Sequence, residues 1–459
     1  MALARSTSMH HIRRFRPGSA LADPGDILHG RDLTDLVFEV LIQMSSAHGL
    51  TQSQHVRQMN RSRILTEIYR SPGITRRQLA QLTNLTEASL SRITKDLLSE
   101  GLLRTVKGQA ESAKAERGSR GRPNVGLSLC SDGLYVLCLS LTAYEQKFSI
   151  IGATGDRIGE EAIKGWPNVE PEGVLNQVAE YLLALRHRPG FEFDRLAGVS
   201  ITVAGDVDTE TGEILDAPSI GWKAYPLGER AQMTFGLPVS VQNIAIALHM
   251  AETPKTNGRD SQHSLMLHAG LGISASLVVK GMLSRGSEYE RGIGNIIVER
   301  PAGVPHTPDA MASDSEPPCT FVRLADISSG RAILKRLGHF SGNTATDTGD
   351  AGLRLGLPHT VRQANAGEPR SVAAFAEAGR ALGLAFLSTL ALAHPDRVIL
   401  AGPLAAAKPF ARAFQDILRD YNRIERAVRP SVEISQFTYL KATEISGLKR
   451  FFLAKPIAD

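Results

Sequence analysis

The chain has 459 residues, 42% of them hydrophobic and 22% charged, a balance that excludes a fibrous or wholly disordered protein and implies two or three folded domains. Its formal net charge of +5 is unevenly spread: residues 1–125 hold 19 Lys/Arg against 11 Asp/Glu, a balance of +8, so the remainder carries −3. A basic front on a slightly acidic body points to a polyanion partner for the front alone, with a solvated basic surface as the plainer alternative.

Residues 1–30 mix Gly, Pro and Arg and read as unstructured. Arg and His stand where a signal peptide needs an apolar stretch. Residues 31–47 place Leu33, Val37, Val40, Leu41 and Met44 at helical spacing, an extra helix for the front domain or for a partner subunit. Residues 1–50 are thus expected to form a basic tail with an added helix.

Residues 51–127 form the most informative stretch. Ile64, Leu65 and Ile68 make the apolar stripe of a first helix, which Ser71-Pro72-Gly73 stops. Thr75 stands at an N-cap position with Gln78 three residues on, the spacing of a capping box. Leu79 and Leu82 are expected to face inward from this second helix. Thr86 caps a third helix, with Leu90, Ile93, Leu97 and Leu98 buried and Glu87, Ser89, Arg92 and Lys95 outward. Gly101 fits the residue just past its end. A strand over 102–106, a polar loop over 107–123 and a strand over 124–130 follow. Three helices and a hairpin make a winged helix-turn-helix, a device for placing one helix in the major groove.

On this reading the 86–100 helix enters the groove. Glu87, Ser89 and Arg92 lie nearest base edges, Thr86 at the cap belongs to the same DNA-binding set, and Arg76, Arg77 and Lys95 contact phosphate. Glu87 either accepts from a cytosine amine or complements the helix N-terminus. Arg120 and Arg122, in the wing loop, suit a narrow minor groove.

From 128 onward, apolar strand-like runs alternate with helical stretches at 171–187, 229–235 and 371–393, which implies an α/β body. Cys130, Cys138 and Cys319 are too few and scattered for a disulfide framework or a zinc cage, and the first two read as buried free thiols. Ala378, Gly379 and Gly383 mark a close helix contact, within the body or between subunits. No continuous apolar run reaches the roughly 18 residues that span a bilayer, so a cytoplasmic protein without membrane contact is expected.

Over about 55–459 the chain resembles the ROK family of repressors and kinases. The front-domain marks are Asn60-Arg61-Ser62-Arg63, Leu79-Ala80, Ser89-Leu90-Ser91-Arg92, Gly101-Leu102 and Gly121-Arg122-Pro123. The body marks are 198–222, 237–252, 270–281, 291–295 and 394–404. The resemblance implies a body of two ribonuclease-H-like, actin- or hexokinase-like lobes over 128–459, preceded by the winged helix-turn-helix. It also implies operator DNA, a dimer or tetramer, a sugar-derived effector and a location on the bacterial nucleoid.

The family's kinase motifs are broken here. Its Asp-x-Gly-Gly-Thr turn reads Ser140-Leu141-Thr142-Ala143-Tyr144, and its Gly-Thr-Gly-Ile-Gly loop reads Gly270-Leu271-Gly272-Ile273-Ser274. Its late Gly-Gly is Ala401-Gly402, and the aspartate base of its Asn-Asp pair is Ile244, which cannot accept a proton. No catalytic residue and no cofactor are therefore expected.

The family's zinc motif keeps only Cys319, with Asn295 in place of the histidine; His306 lies in the same loop and reads as solvated. No metal is expected. Asp206, Trp222, Asn243 and Asn295 remain to build an altered effector pocket; Trp222 either stacks on a ring or fills the core. A repressor of carbohydrate-related genes leads. An interaction protein with a degenerate cleft and an active sugar kinase are the alternatives.

Overall fold

The structure, a computed structural model, describes residues 52–107, 125–144, 146–166, 169–252, 263–280, 282–284, 293–300, 320–339, 351–424 and 430–453. Contacts divide the chain into 1–57, with 459, and 58–458. Of the first unit only 52–57 are described, as the start of a helix. The expected helix at 31–47, the wing loop with Arg120 and Arg122, and the loop with His306 and Cys319 lie outside the described residues.

The front is α1 (Gln52–Arg70), β1 (Ile74–Thr75), α2 (Arg76–Thr83), α3 (Glu87–Ser99), β2 (Leu103–Lys107) and β3 (Val125–Leu129). The three strands form one sheet in the order β1-β3-β2. Ile64, Leu65, Ile68, Leu79, Leu90, Ile93 and Leu97 close over it as a core. Gly101, at φ +73°, turns the chain out of α3.

Two expected core positions of the front are corrected, Leu98 being only half-buried and Leu82 facing out. Leu82 is 55% exposed, and the inner face of α2 is Leu79 with Thr83. Thr83 enters the core without an unpaired hydroxyl, since its Oγ1 donates to Leu79 O at 2.6 Å. Cys130 is likewise only half-buried, just past β3, whereas Cys138 lies deep in a strand.

The body repeats one topology twice. In the first lobe β4 (Tyr135–Leu141), β5 (Gln146–Gly152) and β6 (Arg157–Ala162) are antiparallel, and after α4 (Pro171–Arg186) β7 (Leu196–Val203) returns parallel to β4. A flap of β8 (Asp206–Val207), β9 (Ile214–Ala217) and β10 (Trp222–Tyr225) follows, then α5 (Leu227–Phe235) and β11 (Val239–Asn243) parallel to β7. The strand order is β11-β7-β4-β5-β6.

Helix α6 (Ile244–Glu252) crosses to the second lobe. There β12 (Ser264–Ala269), β13 (Ile273–Val279) and β14 (Met282–Leu283) are antiparallel. A two-stranded antiparallel sheet of β15 (Ile297–Glu299) and β16 (Phe321–Arg323) precedes helices α7 (Ala325–Ser328), α8 (Gly330–Arg336), α9 (Ala351–Asn365) and α10 (Pro369–Ala393). Then β17 (Arg397–Ala401) lies parallel to β12, α11 (Lys408–Ile424) follows, and β18 (Ser431–Ile434) completes the order β14-β13-β12-β17-β18. Two lobes of the ribonuclease-H type, as in actin and hexokinase, behind a winged helix are the fold expected from the sequence.

By length and composition α10 is a helix that passes for a membrane span, which the absence of an unbroken apolar run had argued against. Its Phe375, Leu382, Phe386 and Leu390 are buried in the second lobe. A side chain at Gly379 would strike the Phe410 carbonyl and one at Gly383 the Ile417 side chain, both on α11. The small residues therefore serve packing within the lobe.

Finally α12 (Tyr439–Leu448) runs back from the second lobe onto β4, β5 and β7, and ends in a π-helical turn, Lys449–Leu453. Leu448, Phe451, Phe452 and Leu453 enter the same core as Ile64 and Leu90. The winged helix is thus packed directly onto the first lobe and the returning carboxyl end.

Candidate functional site

The helix pair of the front is built by local hydrogen bonds. Thr75 Oγ1 accepts from Gln78 N at 3.3 Å while Gln78 Oε1 accepts from Thr75 N at 3.0 Å, a complete capping box. Asn84, at φ +54°, makes the turn. Thr86 Oγ1 then accepts from Ser89 N at 3.3 Å and caps α3.

Long-range bonds hold α3 in place. Arg61, on α1, makes a bidentate ion pair with Glu100. Arg76 Nε donates to Thr94 Oγ1 at 3.4 Å, and Thr94 Oγ1 donates to Ser91 O at 3.2 Å. Arg76 is half-buried by this contact, whereas Arg77, Glu87, Arg92 and Lys95 are exposed. Thr86 is exposed too, although its hydroxyl is committed to the cap. Ser89 is half-buried and takes a bond from Thr86 Oγ1 at 3.0 Å. Ala88 and Ser91 are also exposed. The sequence reading did not select them; their spacing from the buried Leu90, Ile93 and Leu97 was the signal available.

The structure gathers three of the four pocket candidates in the first lobe. Asn243 ends β11, is 3% exposed, donates through Nδ2 to Gly205 O at 2.7 Å and accepts through Oδ1 from Ala245 N at 2.7 Å. Its amide therefore joins the flap to the start of α6. Asp206 is the next residue along from Gly205 and is half-buried. Trp222, on β10, is 5% exposed within the first-lobe core. Asn295 stands exposed on a short turn of the second lobe, beside β13 and α7. Ile244, at the start of α6, is buried among Leu248, Met266 and Ile399.

The β4–β5 and β12–β13 turns carry side chains that approach one another. A Cβ at Gly270 would lie 3.3 Å from His268 and 3.6 Å from the Tyr144 hydroxyl, so Tyr144 reaches from the β4–β5 turn to the β12–β13 turn. Burial pushes the Tyr144 phenol well above its ordinary pKa. His268 Nε2 lies 2.9 Å from the Tyr439 hydroxyl at the start of α12. Burial lowers the His268 pKa to about 4, which keeps the imidazole neutral at pH 7. Gly402, at φ +89°, packs against Ala269 O and His268, a conformation that excludes a side chain. Among the described residues no group of His, Cys, Asp and Glu is placed to hold a metal ion.

A model described as the ROK family matches residues 145–438, and one described as the MarR family matches 48–112. The chain is 28% identical over 262 residues to the putative xylose repressor of a Caldicellulosiruptor species, covering 53% of this chain and 60% of that protein. It is 27% identical over 342 residues to Transcriptional regulator Rv0485 of Mycobacterium tuberculosis, covering 72% of each. It is 26% identical over 252 residues to the DNA-binding transcriptional repressor Mlc of Escherichia coli, covering 53% of this chain and 59% of that one. The chain thus spans under two thirds of the xylose repressor and of Mlc. A solved ROK family transcriptional regulator, a homologue of the Escherichia coli Mlc protein, superposes with a TM-score of 0.64 at 21% identity. That superposition covers 87% of this chain and 98% of the other.

Proposed function

The chain belongs to the ROK family, and on that premise we propose that it is a DNA-binding transcriptional regulator, a repressor of carbohydrate-related genes whose body senses without catalysing. The observation that carries this is α3, capped at Thr86, braced through Thr94 and Glu100, and presenting Arg92 and Lys95 outward. Relatives named as a xylose repressor and as Mlc support it. Arg77 and Lys95 contact phosphate, with Arg76 at the edge of the same surface, while Thr86, Glu87, Ser89 and Arg92 line the groove side. Arg120 and Arg122 follow the minor groove. One such module makes a small interface, so a dimer or tetramer on a two-fold operator in the bacterial cytoplasm follows.

The effector is a sugar or sugar derivative. Asp206 and Asn295 supply its polar contacts, and Trp222 and Asn243 back the wall. The body is not a kinase, because Tyr144 stands between the phosphate hairpins and Ile244 replaces the base.

Sequencing of genomic fragments retained by the full chain at moderate ionic strength tests the first claim. Enrichment of a few operators is expected, and uniform coverage would sink it. Arg77→Ala should weaken binding to all sequences and reduce the salt slope by about one; an unchanged slope removes Arg77 from the interface. Release of ADP with any hexose in a panel would overturn the second claim.

A further inference from the structure

The buried residues of α3, Leu90, Ile93, Thr94 and Leu97, fix the rotational phase of the helix. Opposite them stand Ala88, Ser91, Arg92 and Lys95, all exposed, at the i, i+3, i+4, i+7 spacing of a single face. At about 100° per residue, Glu87 and Ser89 fall to either side of Ala88. Ser89 is drawn further aside by its bonds to Thr86.

The leading turn of the exposed face therefore carries a methyl and a hydroxymethyl group. Side chains this small let a helix entering the major groove bring its backbone close to base edges. A methyl there packs against the C5-methyl of thymine, and a serine hydroxyl bonds to donors or acceptors on any base edge. The backbone at Ser91 is held for this: its carbonyl accepts from Thr94 Oγ1, which in turn accepts from Arg76 Nε.

Building on the DNA-binding reading above, we propose that Ala88 and Ser91 are sequence-reading positions of α3, added to Arg92. Ala88 packs on a thymine methyl, and Ser91 bonds to the neighbouring base edge. Arg92 and Lys95 continue the same face toward bases and phosphate. Arg76 is a positioning residue that acts through Thr94.

The test is selection from a random-sequence duplex pool by the full chain and by Ala88→Gly, Ala88→Ser and Ser91→Ala. Each thymidine of the wild-type motif is then replaced by deoxyuridine. At one position the loss of the methyl should weaken the wild type roughly fourfold and leave Ala88→Gly unaffected. Ala88→Ser, which keeps a side chain at the helix start, should lose the same thymine preference. Ser91→Ala should relax the preference at an adjacent base only. A wild-type motif shared unchanged by all three variants would overturn the proposal and leave DNA binding standing. Failure of the wild type to select any motif would overturn both.

Discussion

Thr75 and Thr86 show how much one side chain can settle. Each satisfies a backbone N–H at a helix start that would otherwise lack a partner, and both were legible because a cap is an i to i+3 relation within a few residues. Thr86→Ala is expected to lower stability by about 1 kcal/mol in urea unfolding; a change within error would mean the cap is not formed. His249 and His268 were not legible, since their partners lie on other elements. His249 sits between Ser264 and Ser276 at 2.7 and 2.8 Å. Burial lowers the pKa of both histidines from 6.5 to about 4. As pH falls below 6.5 the unfolded chain takes up these protons first, so stability present above 6.5 is lost down to about pH 4. The size is on the order of 3 kcal/mol for each histidine. Unfolding measured across that window should show the loss, and His249→Gln should remove part of its slope; a flat profile would contradict the burial.

At the scale of elements, the carboxyl-terminal segment matters most. Residues 439–453 drew no reading from sequence, because their apolar positions match no single face. In the fold they serve several surfaces. Ser149 and Arg157 meet the buried Glu444, Thr202 meets Thr443, and Ser62 of α1 donates to Leu453 O. Phe451 lies against Gly198, where a Cβ would clash with its ring. Phe451→Ala should cost about 3–5 kcal/mol. In hydrogen exchange it should expose α1 more than the second lobe. Equal protection of α1 in wild type and variant would show that the segment does not hold the winged helix.

At the scale of the molecule, two lobes, a crossing helix and a returning helix make a body whose duplication is plain in strand order. Helix α6 begins at Ile244, where the kinase motif implied by the family resemblance carries an aspartate. Ile244 is sealed in the core between lobes, so Ile244→Asp would bury an unpaired carboxylate. It should destabilise the chain by about 2–5 kcal/mol and give no ATP turnover; a stable, hydrolysing variant would show that one carboxylate was all the cleft lacked.

The amino-acid sequence by itself determined the winged helix, its caps and the alternation of strands and helices. Each rests on neighbours within a turn or two, or on residue types whose chemistry is absolute. Only the tertiary structure decided that Leu82 faces out and Thr83 in, that Ala88 and Ser91 lead the exposed face of α3, that Asn243 spends its amide on backbone, and that the carboxyl end completes the front core. These depend on which surfaces meet across hundreds of residues, and a pattern of local spacing carries no record of the partner.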